Sequence, residues 1–136
     1  MTNPTPTVIA PASPNPRRRN AWLCGLSVVA LFIGTLLPGP WRDAVESRLF
    51  PPALGFSSWA HFALFAFILF FMRARPLAVR PWRALGLALG LALLTEGLQH
   101  FVLGRHPRLR DVGIDLCGAL LGLVCASVLA RPEQSP

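Results

Sequence analysis

The chain has 136 residues, of which 53% are apolar and 14% charged, with 13 basic against 6 acidic side chains and a formal charge of +7. That length allows one domain at most, and the apolar share is too high for an ordinary soluble one. Every basic side chain other than histidine is an arginine, and the arginines punctuate apolar runs of lipid-spanning length, which argues against a nucleic-acid surface and for a membrane protein.

Residues 1–20 are polar and interrupted by Pro4, Pro6, Pro11, Pro14 and Pro16, so they read as a disordered tail with little apolar surface to bury. Arg17, Arg18 and Arg19 lead into a first helix expected over 21–37, long enough for a hydrocarbon core of roughly 30 Å at 1.5 Å per residue. No small-x-small site closes this run before Pro38-Gly39-Pro40, so an uncleaved helix is preferred to a signal peptide. Trp41 to Gly55 reads as a loop too polar and too broken to span. A second helix is expected over 56–72, with Ser57 or Ser58 as a cap and His61 as its only ionisable group within the span. A third follows from Pro81, which suits a first helical turn, over 82–103. After a short turn a fourth runs over 111–130, and 132–136 form a tail.

The expected fold is therefore all-α: a four-helix transmembrane bundle over 21–131. Trp22, Trp41, Trp59 and Trp82 each fall near an expected helix end, where amphipathic rings settle. With four crossings the tails share one side. That side and the middle loop carry eight arginines against five on the other, so both termini are expected in the cytoplasm. Arg105, Arg108 and Arg110 run against this bias, so a task other than topology is expected of Arg105.

The polar groups converge at one level. The helical rise sets Glu96 roughly 10 Å below the outer end of its helix and places His61 and Asp115 at similar depth. Glu96, Gln99, His100 and Leu103 follow i, i+3, i+4, i+7 spacing, while Asp111, Asp115, Gly118 and Gly122 form a stripe on the next helix. Gly118-x3-Gly122 and Gly86-x3-Gly90 both have the small-residue spacing that lets helices approach closely. Cys24, Cys117 and Cys125 have no zinc-ligand or CxxC spacing and read as small buried residues.

These residues resemble a known family. Glu96-x2-Gln99, then Arg105-x5-Asp111-x3-Asp115-x2-Gly118-x3-Gly122, preceded by His61-Phe62, is similar to the VanZ-like family of small polytopic membrane proteins, named after a member associated with low-level resistance to teicoplanin. The resemblance covers roughly residues 57–123 and implies a membrane protein of four to five helices, often related to the cell envelope. Two positions depart from the family pattern: Ser58-Trp59-Ala60 stands where an Asp-Lys pair commonly precedes the histidine, and Asp115 where asparagine is common.

Two functions from different classes follow. The first is a non-enzymatic protein that binds an anionic lipid headgroup or a lipid-linked cell-wall precursor through Glu96, Gln99, Arg105, Asp111 and Asp115. The second is a membrane-embedded hydrolase or transferase with Glu96 or Asp111 as general base, aided by His61 or His100. The structural alternative for the charges is an ion pair of Arg105 with Glu96 or Asp111 that stitches two helices together. A metal held by His61, Glu96 and His100 is conceivable but lacks diagnostic spacing, so no metal and no cofactor is expected. Expected partners are the bilayer and such a lipid, with no nucleic acid and with homo-oligomerisation left open.

Overall fold

The computed structural model describes residues 15–49 and 56–129. Its five helices are α1 (Pro16–Leu36), α2 (Gly39–Leu49), α3 (Phe56–Arg73), α4 (Pro81–Gln99) and α5 (Leu109–Leu129), with no strand among the described residues. The all-α expectation holds. Two helices, α1 and α5, are long and apolar enough to cross a membrane, and the apolar stretch Ser57–Arg73 is shorter.

Three larger differences from the sequence expectation have local reasons, and α5 also starts two residues early, at Leu109. α1 begins at Pro16 rather than at 21, because the Asn15 side chain accepts the Arg17 N–H at 3.0 Å and proline suits the first turn. Residues 16–20, assigned to the tail, are thus helical; residues 1–14 and 130–136 lie outside the described residues. The stretch read as a loop from Trp41 contains α2. Too polar to span is not the same as non-helical: Pro40 falls in its first turn, nothing from Trp41 to Leu49 breaks a helix, and Arg42 and Glu46 meet at i, i+4. α4 stops at Gln99 rather than 103. There the chain tightens into i to i−3 hydrogen bonds from His100, Phe101 and Val102, and Gly104 takes φ +73° to turn back.

α5 packs most closely on α3, with α1 against α3 and α4 against α5. The close approach comes from α5's glycines: a Cβ on Gly118 would run into the Phe62 carbonyl, and one on Gly122 into that of Ala66. The matching expectation for Gly86 and Gly90 fails, since a Cβ at either would meet nothing within 4 Å. α4 instead packs through Ala84, Ala88 and Ala92, which are buried at i, i+4, i+8.

Leu31, Phe65, Ile68, Leu69 and Val112 complete the core with these alanines and Ala119. Large apolar side chains also cover the outside, among them Trp22, Ile33, Phe67, Leu87, Leu93, Val124 and Val128. Cys24 is partly buried and packs against the core, whereas Cys117 and Cys125 are exposed, so the reading of all three as buried is corrected for these two, which belong to the outer apolar surface.

Candidate functional site

The polar residues gather at one end of the bundle, where α1 and α4 finish and α3 and α5 begin. His61 from the second turn of α3 places Nδ1 3.3 Å from Oδ1 of Asp115 in the second turn of α5. Asp115 is completely buried and His61 nearly so. The contact has ion-pair distance but not hydrogen-bond alignment, so both Asp115 oxygens lack a hydrogen-bonding partner among the described residues. Buried groups of this kind are costly and demand a proton, a water or a ligand.

Glu96 and Gln99 are also buried, on the last turn of α4. Glu96 Oε2 accepts the backbone N–H of Arg108 at 2.7 Å, while Oε1 is buried and unpartnered. Arg108 immediately precedes α5, so the carboxylate caps the start of that helix from across the loop, where a negative charge also complements the helix dipole. The expected stitch between these two helices therefore exists with a different partner, a backbone N–H in place of a guanidinium.

Arg105, nearly buried, points the other way. Its terminal nitrogen donates to the Gly34 carbonyl at 2.8 Å and approaches the Thr35 carbonyl at 3.5 Å. These are carbonyls of the last turn of α1, which have no helical partner and attract a cation. Among the described residues Arg105 forms no ion pair with Glu96 or Asp111, which corrects that expectation: the exposed helix end outcompetes the acids. Burial, and next the like charge of Arg42, pull its proton affinity below the ordinary guanidinium value, while Asp43, Glu96 and Asp111 oppose the shift. Arg105 nevertheless stays a cation, as arginine does in proteins. Its expected task beyond topology is thus visible as a cap on α1.

In front of these groups lies a polar recess of about 90 Å³. Arg42, Arg105, Arg108 and Arg110 form its cationic wall, and Ser57, Ser58, His61, Gln99 and Asp111 the remainder. Arg42 is held by Asp43 at 2.9 Å and Glu46 at 3.8 Å, whereas Arg108 and Arg110 are exposed and make no ion pair among the described residues. The first turns of α3 and α5 border the recess, and helix amino ends favour anions.

Of the residues singled out from sequence, Gln99, Arg105, Asp111 and His61 line the recess, with Glu96 and Asp115 packed among them. His100 does not join. It is exposed and stacks edge-on with Phe101 at 5.8 Å, because α4 has already ended when the chain reaches it. The trio His61, Glu96 and His100 is consequently not assembled, and among the described residues no group of three or more His, Cys, Asp or Glu could hold a metal. Arg42, Ser57, Ser58, Arg108 and Arg110 line the recess without having been among the expected site residues. Ser57-x3-His61 carried the signal, since i, i+4 spacing puts the serine on the face of the histidine; Arg42 gave none, lying in a stretch read as loop.

The family model described as VanZ/LLP1 matches residues 15–130. No curated protein and no solved structure matches the chain.

Proposed function

The chain belongs to the VanZ/LLP1 family, and on that premise we propose that it is a multi-pass membrane protein that binds an anionic lipid headgroup or a lipid-linked cell-wall precursor in the recess. In this reading α1, α3, α4 and α5 cross the bacterial inner membrane. α2 lies along its surface with Trp41 outward, both termini are cytoplasmic, and the recess opens within the outer leaflet. The observation that carries the reading is the wall of four arginines faced by Asp111 as the one acid among the lining residues. Guanidinium groups suit phosphate because each can give two parallel hydrogen bonds to it.

The test is native mass spectrometry of the protein extracted from its own membrane. An anionic lipid should be retained by the wild type and lost on replacing Arg108 and Arg110 by glutamine; retention of zwitterionic lipid alone would contradict the proposal. A role in glycopeptide susceptibility follows if the ligand is a cell-wall precursor, and deletion of the gene should then change susceptibility to such antibiotics.

A second reading, hydrolysis or transfer on a lipid-linked substrate, draws support from the contact of His61 with Asp115. A buried carboxylate behind an imidazole is the arrangement that orients a general base. It shifts that role toward His61, since Glu96 is occupied as a helix cap. Turnover abolished by His61→Gln with lipid retention unchanged would favour this reading over binding alone.

A further inference from the structure

The polar recess has an apolar neighbour. A second cavity of about 130 Å³ runs between α1, α2 and α3, walled by Leu31, Gly34, Leu37, Val45, Ala60 and Leu64. The two cavities share Arg42, Ser57 and His61, and Glu46, paired with Arg42 at 3.8 Å, also borders the second, so the arginine-walled space passes directly into a mostly apolar one. We propose that this groove seats a hydrocarbon chain of the bound molecule, so that the ligand is a lipid of net negative charge with a phosphate headgroup lying across the seam, its phosphate among Arg42, Arg108 and Arg110 and its chain between α1 and α3.

The inference rests on the anion-binding reading of the recess and adds the chain to it. Charge and shape select this occupant. A soluble phosphate would satisfy the arginines and leave the adjoining groove without function, and a neutral lipid would fill the groove and leave the guanidinium groups without an anion. An amphiphile satisfies both with the polarity change falling at the shared residues. Arg105 gives the junction a fixed frame. It is about nine-tenths buried, lines the recess and carries a buried Nε without a partner, while its terminal nitrogen holds the Gly34 carbonyl that borders the groove. The recess and the groove wall are therefore tied by one side chain.

Gly34 also provides the means of testing this. Gly34 borders the groove and a Cβ there would meet nothing within 4 Å, so Gly34→Phe places a bulky side chain at the groove's edge without a backbone clash while the carbonyl keeps its bond to Arg105. The full-length protein is placed in phosphatidylcholine nanodiscs containing phosphatidic acid with a diazirine in one acyl chain, irradiated, and the cross-linked peptides are mapped. Retained lipid is measured in parallel by native mass spectrometry.

Cross-links should concentrate on the α1 and α3 segments around Gly34, Ala60 and Leu64. They should vanish in Gly34→Phe, and they should not form with a diazirine phosphatidylcholine. Leu64→Trp, which narrows the groove from α3, serves as a second block should Gly34→Phe not fold. Retained phosphatidic acid with cross-links spread evenly over all outward helix faces would overturn the groove and leave the recess standing. Failure to retain phosphatidic acid over phosphatidylcholine would remove the recess reading for this lipid, and the groove with it.

Discussion

The two ends of the bundle solve the same problem, finishing helices in a short chain, with different chemistry. At the amino end of α1, Asn20 is buried and donates to the Arg75 carbonyl at 2.9 Å, a neutral and satisfied tie, while Arg17, Arg18, Arg19, Arg75, Arg80 and Arg83 remain exposed. At the opposite end the ties are made by ionisable side chains that are buried. Arg105 caps α1, Glu96 caps α5, and Asp115 sits against His61 with both its oxygens otherwise without partners. A neutral amide suffices to hold two segments together. Ionisable groups buried with spare hydrogen-bonding capacity are costly for structure alone.

The contrast can be broken by substitution, beginning at the contact that holds the polar end in register. Gly118→Val forces a side chain into the Phe62 carbonyl, next to His61, and overpacking against backbone should cost about 3 kcal/mol or more; thermal unfolding in detergent should show the largest drop of any variant here. Arg105→Ala leaves the last carbonyls of α1 uncapped and should cost about 2 kcal/mol, whereas Asn20→Ala at the other end removes a neutral bond worth about 1 kcal/mol. Equal losses would mean that the two ends are held alike.

Smaller effects separate charge from capping. Glu96→Ala should cost roughly 1 kcal/mol through the lost cap on α5. Glu96→Gln, whose carbonyl oxygen can still accept the Arg108 N–H, should retain most of that stability by the same unfolding measurement. Gly86→Ala, facing open space on α4, should be neutral or slightly stabilising, by up to about 1 kcal/mol, since alanine favours a helix over glycine. A loss comparable to that at Gly118 would reveal a close contact on that face.

How much of this was legible in the sequence varies with the kind of information needed. Apolar runs and arginine punctuation revealed four of the five helices, because lipid-length periodicity is local. α2 escaped, since polarity excludes a span without excluding a helix. The i, i+3, i+4 spacing placed Glu96 and Gln99 together and put Asp115, Gly118 and Gly122 on the packing face. It erred at His100 and Leu103 because it extended α4 past a stop that depends on Gly104 and the tightening turn before it. Partners were the least legible part. Arg105 was expected to meet a carboxylate, and nothing local records that the end of α1, about 70 residues earlier in the chain, would reach it first. The α4 glycines failed as a packing stripe for a similar reason: spacing names a face, and only the neighbouring helices decide which face is used.

The most direct test sets equal charge changes at the two ends against each other. Arg108→Gln with Arg110→Gln removes two positive charges at the recess, and Arg80→Gln with Arg83→Gln removes two at the far end. Both proteins are reconstituted in nanodiscs of mixed phosphatidylcholine and phosphatidic acid, and the bound anionic lipid is counted by native mass spectrometry. The recess pair should lose the retained phosphatidic acid while the far pair keeps it at the wild-type level. Equal loss in both would show attraction by overall charge alone and would contradict a lipid-binding recess at this end of the bundle.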